Sequence, residues 1–331
     1  MTAVPAVTGT ATAEANPNIA LIKYWGKADA AYNLPVTGSL SLTLDTAPTR
    51  TTVTLDDTLA ADELVLGGVV QAARPAERVR VFLDLVRALS GRTERARVDS
   101  VNLIPTGAGL ASSASAFAAL AAAASAAYGL GLDDRALSRL ARRGSGSASR
   151  SVFGGIVRWY PGDDASSYAE PVPADLDLAM VVAIIDAGPK TISSTVAMNR
   201  TTATSPFYPA WAESTTAQLD EMLAALDRAD FTAVGELAES NSLRMHATMA
   251  GAWPPVRYQT AASIALVDAA GELRAAGVEA YATMDAGPNV KFLCRPDDAD
   301  RVAAHLATVD PGARFLSARA GRGVRLLGSS E

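Results

Sequence analysis

Between residues 104 and 117 the chain reads Ile104-Pro105-Thr106-Gly107-Ala108-Gly109-Leu110-Ala111-Ser112-Ser113-Ala114-Ser115-Ala116-Phe117, a glycine turn that runs through serines into a helix predicted over residues 116–127. Glycine lets a ligand approach the backbone closely, and the serine hydroxyls stand beside N–H groups that are unpaired at a helix start. The positive end of the helix dipole points into the same turn. The stretch predicts a phosphate cradle, while a small-residue turn needed for close helix–strand packing stays open as the other interpretation.

The composition is that of a globular protein without a general affinity for polyanions. The 331 residues carry a formal net charge of −6 and 49% hydrophobic side chains, which argues against nucleic acid and anionic membranes as partners. The single Cys294 excludes an internal disulfide, and two distant histidines do not favour a Cys/His zinc site. Residues 1–11 show no signal peptide pattern and the alanine run is too short to span a membrane, so we expect a cytoplasmic protein.

Hydrophobic periodicity and turn residues predict an α+β chain. Ser39–Leu44 is predicted as a half-buried strand with Thr49–Leu55 as its partner, and residues 144–151 are predicted as a loop. From Asp186 onward long helices dominate, followed by a hairpin over residues 279–294. This change of character suggests two lobes joined near Asp186–Lys190, with an active site in the cleft between them.

Charged side chains in an apolar segment, a small-residue loop and two turns are candidate site residues. Lys23 lies in an apolar segment and needs a carboxylate or phosphate partner there. Arg150 ends the loop Gly-Ser-Gly-Ser-Ala-Ser-Arg and could grip a carboxylate or phosphate through two parallel bonds, although a solvated surface arginine is equally consistent. Asp285 and Asp186 both lie in Asp-Ala-Gly-Pro turns, where the carboxylate of an aspartate can simply accept a hydrogen bond from the backbone of its own turn. Spacing does not decide which of the two acids is chemical.

Lysine is scarce in this chain. Of 29 basic residues only four are lysines, namely Lys23, Lys27, Lys190 and Lys291. A lysine kept in an arginine-rich background indicates a site that needs a compact ammonium, or chance retention.

Four sequence blocks resemble the GHMP superfamily of small-molecule kinases and, within it, the diphosphomevalonate decarboxylases. The first block is Asn18-Ile19-Ala20-Leu21-Ile22-Lys23-Tyr24-Trp25-Gly26-Lys27, and residues 105–115 are similar to the ATP loop of that superfamily. The other two are Gly144-Ser145-Gly146-Ser147-Ala148-Ser149-Arg150-Ser151 and Met284-Asp285-Ala286-Gly287-Pro288-Asn289. The resemblance implies an α+β, two-lobed GHMP-kinase fold with a ribosomal protein S5 domain 2-like N-terminal lobe and a ferredoxin-like C-terminal lobe. We expect these domains at 1–187 and 188–331.

The resemblance also implies roles for individual residues. Asp285 acts as the catalytic base, Lys23 keeps it ionised and oriented, and Arg150 binds the C1 carboxylate. The implied substrate-binding residues are Tyr24, Trp25, Gly26, Lys27, Ser145, Gly146, Ser147, Ala148, Ser149, Arg150, Ser194 and Thr195. The implied ATP-binding residues are Pro105, Gly107, Ala108, Gly109, Leu110, Ala111, Ser112, Ser113 and Ser115, with Ser113 also as a Mg²⁺ ligand.

The implied reaction is ATP-dependent decarboxylation of mevalonate 5-diphosphate to isopentenyl diphosphate, ADP, phosphate and CO₂ in isoprenoid biosynthesis. ATP and Mg²⁺ are the implied cofactors, and a homodimer is the implied assembly. Two positions depart from the family pattern, since Ser149 stands where Cys is frequent and Thr195 where some bacterial members have Arg. The alternatives are a GHMP kinase that only phosphorylates, a decarboxylase of a related mevalonate phosphate, and a non-catalytic ATP-binding protein.

Overall fold

A computed structural model of the chain describes residues 9–103, 112–185 and 192–328. In chain order its strands are β1 Thr10–Ala15, β2 Asn18–Ile22, β3 Lys27–Asp29, β4 Leu34–Pro35, β5 Ser39–Thr43, β6 Thr49–Asp56, β7 Glu63–Leu66, β8 Val69–Gln71, β9 Arg95–Asn102, β10 Ile156–Trp159, β11 Ala169–Pro171, β12 Ala179–Ile184, β13 Ala280–Met284, β14 Val290–Cys294, β15 Arg314–Arg319 and β16 Arg325–Leu327. Its α-helices are α1 Ala73–Ser90, α2 Ser112–Ala127, α3 Asp134–Gly144, α4 Ser194–Thr204, α5 Tyr208–Asp227, α6 Phe231–Ala250, α7 Ala261–Ala275 and α8 Ala299–Val309. Short 3₁₀ segments cover Gly146–Val152 and Pro296–Asp298. The predicted α+β class is confirmed.

The first half of the chain builds most of a six-stranded sheet with the order β16-β1-β6-β9-β7-β8. Only the β7–β9 pair runs parallel among these described strands. Helix α2 packs against β1 and β6, and alanines such as Ala118 and Ala121 are fully buried at that contact. Small side chains let the helix approach the sheet closely. The packing fixes the first turn of α2, which the predicted phosphate cradle enters.

Strand β5 differs from its prediction in burial and in pairing. All five residues are buried, so the prediction of a half-buried strand is wrong. Leu40 and Leu42 belong to a core that α5 also lines, whereas Ser39 on the opposite face accepts a hydrogen bond from Arg150. The alternation of serine and leucine therefore separates an apolar core from a buried polar site rather than core from water. The predicted partner is wrong too, because β5 lies between β10 and β2 while β6 pairs with β1 and β9.

The second half of the chain builds an antiparallel sheet with the order β13-β14-β12-β15. The β-α-β-β-α-β order of its strands and intervening helices is the split βαβ arrangement. Helices α7 and α8 share one hydrophobic core with this sheet, and α5 and α6 share another. β12 precedes the predicted boundary at 187 yet pairs within this sheet, and β16 returns to β1 of the six-stranded sheet. The division into domains stays a prediction.

Two further features bear on the predictions from composition. Cys294 is a free, buried thiol in β14, as its apolar surroundings in the sequence indicate. Among the described residues no helix is both long and apolar enough to cross a membrane.

Candidate active site

Lys23 follows directly after β2 and is almost completely buried. Its Nζ lies 2.9 Å from Asp285 Oδ1 and also donates to the carbonyl oxygen of Ala20 at 2.9 Å. Its backbone N–H donates to Asn241 Oδ1 in α6 at 2.7 Å, which fixes the end of the strand. The anionic partner that a lysine in an apolar segment requires is therefore Asp285, the residue that the family resemblance places beside it. Asp186, the competing acid, lies outside the described residues.

A second ammonium contacts the same carboxylate. Lys291 in β14 places its Nζ 3.4 Å from Asp285 Oδ2, so each oxygen of Asp285 faces a different lysine. Both lysines are at most 3% exposed, whereas the Asp285 side chain is 29% exposed. The carboxylate is thus held by two buried ammonium groups while part of its side chain remains accessible. Lys291 is an addition to the site residues that the sequence predicts.

Arg150 brings a third cation to this region. Its Nε donates to Asn18 Oδ1 at 3.1 Å and its Nη1 to Ser39 Oγ at 2.6 Å. It is buried, and within the part of the chain that the structure describes it makes no ion pair with a carboxylate. A guanidinium has five N–H donors, so these two bonds leave donors for a further acceptor. Asn18 and Ser39 therefore orient the arginine without neutralising it.

Burial sets the ionisation behaviour of the cluster. It lowers the pKa of Lys23 to about 8, against the opposing charge of Asp285, and lowers the pKa of Arg150 to about 10. It also lowers the pKa of His246 to about 4, so this α6 histidine is neutral near pH 7. The charge of Lys291 adds to the lowering of the Lys23 pKa. The site carries more buried positive than negative charge, which favours an anionic ligand.

The predicted serine loop is a 3₁₀ segment, Gly146–Val152, and most of it is buried. The prediction of an irregular loop is wrong because Asn18 bonds this segment through Nδ2 to the carbonyl of Ser147 and to Ser151 Oγ. Ser149 Oγ donates to the carbonyl of Gly146 at 2.8 Å, so its buried hydroxyl has its partner within the segment. Ala148 is fully buried, and Ser145 forms the C-cap of α3. The segment serves as the rigid support of Arg150.

Tyr24 lies beside this segment. Its ring meets Trp159 edge-on at 4.7 Å between centroids, and a Cβ on Gly146 would stand 3.0 Å from the Tyr24 hydroxyl and 2.8 Å from the Trp159 ring. Only glycine therefore fits between them. Burial raises the pKa of Tyr24, and its hydroxyl has no hydrogen-bond partner among the described residues. A buried hydroxyl without a partner is costly, so it indicates a place for a ligand acceptor.

Trp25, Gly26 and Lys27 continue the same face. Gly26 has φ +123°, and a Cβ there would collide with the Tyr208 hydroxyl, which donates to the carbonyl of Trp25. The Trp25 ring is buried in a core beside α5 and α6, which makes it structural support. Lys27 Nζ donates to Asn33 Oδ1 at 2.7 Å, and burial lowers the pKa of Lys27. Lys27 has no carboxylate partner among the described residues, so its charge is open to an anion.

The predicted nucleotide side is described only from Ser112 onward. Pro105, Gly107, Ala108, Gly109, Leu110 and Ala111 lie outside the described residues. Ser112 begins α2 and Ser113 is exposed in its first turn, which has no acidic residue. Ser115 is buried, and its Oγ is 2.7 Å from Thr49 Oγ1 in β6. Ser113 is thus placed to meet a ligand, whereas Ser115 joins the helix to the sheet.

Ser194 and Thr195 form the first turn of α4, a helix that the sequence analysis did not predict. Ser193 caps this helix by accepting a hydrogen bond from the backbone N–H of Val196. Ser194 is half-buried and Thr195 is exposed. Lys190 lies outside the described residues. No group of three His, Cys, Asp or Glu side chains in the described part of the chain could hold a metal ion.

Sequence reasoning missed three residues of the cluster. Asn18 and Ser39 orient Arg150, and Lys291 holds Asp285. Asn18 begins the first block of the family resemblance and Ser39 begins a predicted strand, but neither position by itself indicates a bond to Arg150. Lys291 carried a usable signal, because it is one of four lysines in an arginine-rich chain.

Comparisons with known proteins agree with this geometry. The diphosphomevalonate decarboxylase-like N-terminal domain matches residues 15–169, and the mevalonate 5-diphosphate decarboxylase C-terminal domain matches residues 180–320. A diphosphomevalonate decarboxylase from Aspergillus fumigatus is 38% identical over 90% of this chain and 80% of its own length.

Solved structures give the same result. A complex of the protein MDDEF with MVAPP, AMPPCP and magnesium is 44% identical, with a TM-score of 0.93 over 98% of this chain and 100% of its own. The mevalonate diphosphate decarboxylase from Enterococcus faecalis, studied for its mevalonate diphosphate-mediated ATP binding, is 43% identical with a TM-score of 0.92 over the same shares. Sequence and fold therefore agree along nearly the whole chain, and the protein belongs to the diphosphomevalonate decarboxylase family.

Proposed function

We propose that this chain decarboxylates mevalonate 5-diphosphate with ATP, and that Asp285 is the base of the reaction. The observation that carries the proposal is the Asp285 carboxylate held between Lys23 Nζ at 2.9 Å and Lys291 Nζ at 3.4 Å while its side chain stays 29% exposed. Two ammonium groups stabilise the ionised form of a carboxylate. An ionised, oriented and reachable carboxylate is what proton removal from a hydroxyl requires.

The surplus of buried positive charge fits the proposed substrate. Lys23, Lys291 and Arg150 face one carboxylate among the described residues. Mevalonate 5-diphosphate carries a carboxylate at one end and a diphosphate at the other, so it supplies the missing negative charge. An uncharged substrate would leave buried cations unpaired, which is costly.

Arg150 is the proposed partner of the substrate C1 carboxylate. Its donors to Asn18 and Ser39 fix the guanidinium plane, and its remaining N–H groups can form a bidentate pair. Tyr24 and Lys27 are proposed to bind the diphosphate. Among the described residues, the buried hydroxyl of Tyr24 has no hydrogen-bond partner and the ammonium of Lys27 has no carboxylate partner. Ser194 and Thr195 at the start of α4 are proposed as further substrate contacts.

ATP is the proposed phosphoryl donor, bound by the turn that leads into α2. The helix N-terminus has free N–H groups and no acidic residue in its first turn, which suits phosphate. Ser113, exposed in that turn, is the proposed protein ligand of the Mg²⁺ that accompanies ATP. Mg²⁺ supplies neutralisation of the β- and γ-phosphate charge.

The proposed reaction follows from leaving-group chemistry. Asp285 takes the proton of the C3 hydroxyl as that oxygen acquires the γ-phosphoryl group, and ADP departs. Loss of phosphate from C3 leaves positive character there. The C1–C2 electron pair then forms the double bond and CO₂ leaves, giving isopentenyl diphosphate, ADP, phosphate and CO₂. Lys23 and Arg150 stabilise the negative charges that gather around C3 and C1.

The test is incubation with ATP, Mg²⁺ and either mevalonate 5-phosphate or mevalonate 5-diphosphate, with ADP and CO₂ measured together. We expect equal amounts of ADP and CO₂ with the diphosphate. ADP without CO₂ selects a kinase that only phosphorylates, CO₂ from the monophosphate alone selects the related decarboxylase, and neither product selects a non-catalytic protein. The homodimer, the cytoplasmic location and the domains at 1–187 and 188–331 remain predictions, and light scattering of the purified protein tests the first.

A further inference from the structure

Lys291 occupies an unexpected position for a lysine. It lies inside β14, paired with Val182 of β12 on one side and Thr283 of β13 on the other, in the interior of the sheet. It is 3% exposed. Its Nζ contacts Asp285 Oδ2 at 3.4 Å and the carbonyl oxygen of Asn289 at 3.3 Å. A strand interior gains nothing from a buried ammonium, so this residue needs a reason beyond folding.

Each of the two lysines contacts a different oxygen of the Asp285 carboxylate. Lys23 takes Oδ1 and Lys291 takes Oδ2, and they approach from different strands. The terminal torsion of an aspartate is broad, so a single contact leaves the carboxylate free to rotate. Two contacts on opposite oxygens fix its plane. A base must present one oxygen to the proton that it removes, so this plane determines whether transfer is efficient.

We infer that Lys291 is a positioning residue for Asp285, a second cation that fixes the plane of the carboxylate while Lys23 holds its other oxygen. This inference rests on the proposed function of Asp285 as the base. It also assigns a division of labour. Lys291 anchors the carboxylate from within the sheet, and Lys23 stands at the end of β2, where the charge of Arg150 also acts on it.

The pH dependence separates this role from structural support. The charged and titratable groups that act on Lys23 are Asp285 after β13, Lys291 in β14, Arg150 in the 3₁₀ segment and His246 in α6. The positive charge of Lys291 lowers the pKa of Lys23. Removing that charge must therefore raise the pKa of Lys23. If activity falls at alkaline pH because Lys23 loses its proton, that fall must move to higher pH.

The experiment compares Lys291→Met with Lys291→Arg, and uses Arg274→Met as the control. Arg274 pairs with Glu239 and donates to the carbonyl of Ala280 at the start of β13, so its loss weakens the same sheet away from Asp285. The assay measures kcat and KM for CO₂ release from mevalonate 5-diphosphate between pH 6 and 10, and the melting temperature of each variant. Lys291→Gln is made in parallel in case the Met variant does not fold.

We expect Lys291→Met to lower kcat by about 10- to 100-fold, a share of the ~10²–10⁴-fold that a positioned base supplies, and to leave KM for ATP within about threefold. In this variant the alkaline fall of the pH–activity profile moves to higher pH. In Lys291→Arg that fall stays where it is in the parent, and part of kcat is restored. Arg274→Met lowers the melting temperature alone. The inference is overturned if Lys291→Met or Lys291→Gln keeps kcat within about twofold of the parent, or if its alkaline fall in activity stays at the parent's pH. If the parent protein itself releases no CO₂, the proposed function fails; the inference about Lys291 is tested only by comparing variants with an active parent.

Discussion

Replacing Arg150 by lysine tests how this site recognises a carboxylate. The guanidinium donates to Asn18 at 3.1 Å and to Ser39 at 2.6 Å, which leaves three of its five N–H groups for substrate. A lysine ammonium cannot reach both supports and the substrate, and it offers a point charge instead of a planar fork. The variant therefore loses about one charge-assisted hydrogen bond, which contributes about 1.5–3 kcal/mol.

That loss corresponds to about a 10- to 150-fold lower kcat/KM, because 1.36 kcal/mol equals a factor of ten. We expect most of it in KM for mevalonate 5-diphosphate, with a smaller fall in kcat, since the grip on the carboxylate precedes chemistry. Initial rates of CO₂ release at saturating ATP and Mg²⁺ measure both constants. Arg87→Lys is the matched control, because Arg87 is also buried but pairs with Asp62 and Asp84 in the first half of the chain. Kinetics of the Arg150 variant within twofold of the parent would remove Arg150 from the carboxylate.

Four further outcomes are expected from the same cluster. Since burial lowers the pKa of Lys23 to about 8, kcat/KM falls above that pH; a flat profile to pH 10 contradicts this. The folded chain then binds the Lys23 proton less tightly than the unfolded chain, whose lysine has its ordinary pKa of 10.5. The free energy of unfolding, measured relative to Lys23→Met, therefore rises between about pH 8 and pH 10.5; denaturant titrations at these two pH values test it. Tyr24→Phe removes a buried hydroxyl that has no partner among the described residues. It should leave the melting temperature unchanged or higher and raise KM for the diphosphate about tenfold; an unchanged KM argues that no ligand uses the hydroxyl. Gly146→Ala places a Cβ 2.8 Å from Trp159 and 3.0 Å from the Tyr24 hydroxyl. It should cost about 1–3 kcal/mol of stability and lower kcat/KM, whereas a parental melting curve would show that the gap can widen freely.

Local signals predicted the elements that depend on local residues. Asp133, a residue type favoured at N-caps, caps α3, which ends at Gly144, and apolar residues recur at helical spacing over Phe231–Ala250, the bounds of α6. Caps and 3.6-residue periodicity act within a few residues of each other, so the sequence displays them. An apolar segment cannot hold an unpaired ammonium, so the sequence predicts an anionic partner for Lys23, and the family resemblance names Asp285 as that partner.

Long-range contacts account for what the sequence did not reveal. Ser39 reads as a solvent-facing residue of a half-buried strand, yet its environment is set by Arg150, which is 111 residues away in the chain. Residues 146–152 read as a loop because the bonds from Asn18 that order them come from another strand. Lys291 lies in the predicted hairpin of residues 279–294, and only the pairing of β14 between β12 and β13 buries it beside Asp285. Alternation of residue types shows two faces but not what covers them.

The most direct test of the account is CO₂ release by Asp285→Asn, measured together with the affinity for mevalonate 5-diphosphate. Asparagine keeps the shape of the side chain and an oxygen for Lys23, but it cannot take a proton from the substrate hydroxyl. We predict substrate binding by calorimetry within a few-fold of the parent and a fall in CO₂ release on the order of 10²–10⁴-fold. Turnover near that of the parent, with ADP and CO₂ formed in equal amounts, would contradict the assignment of Asp285 as the base.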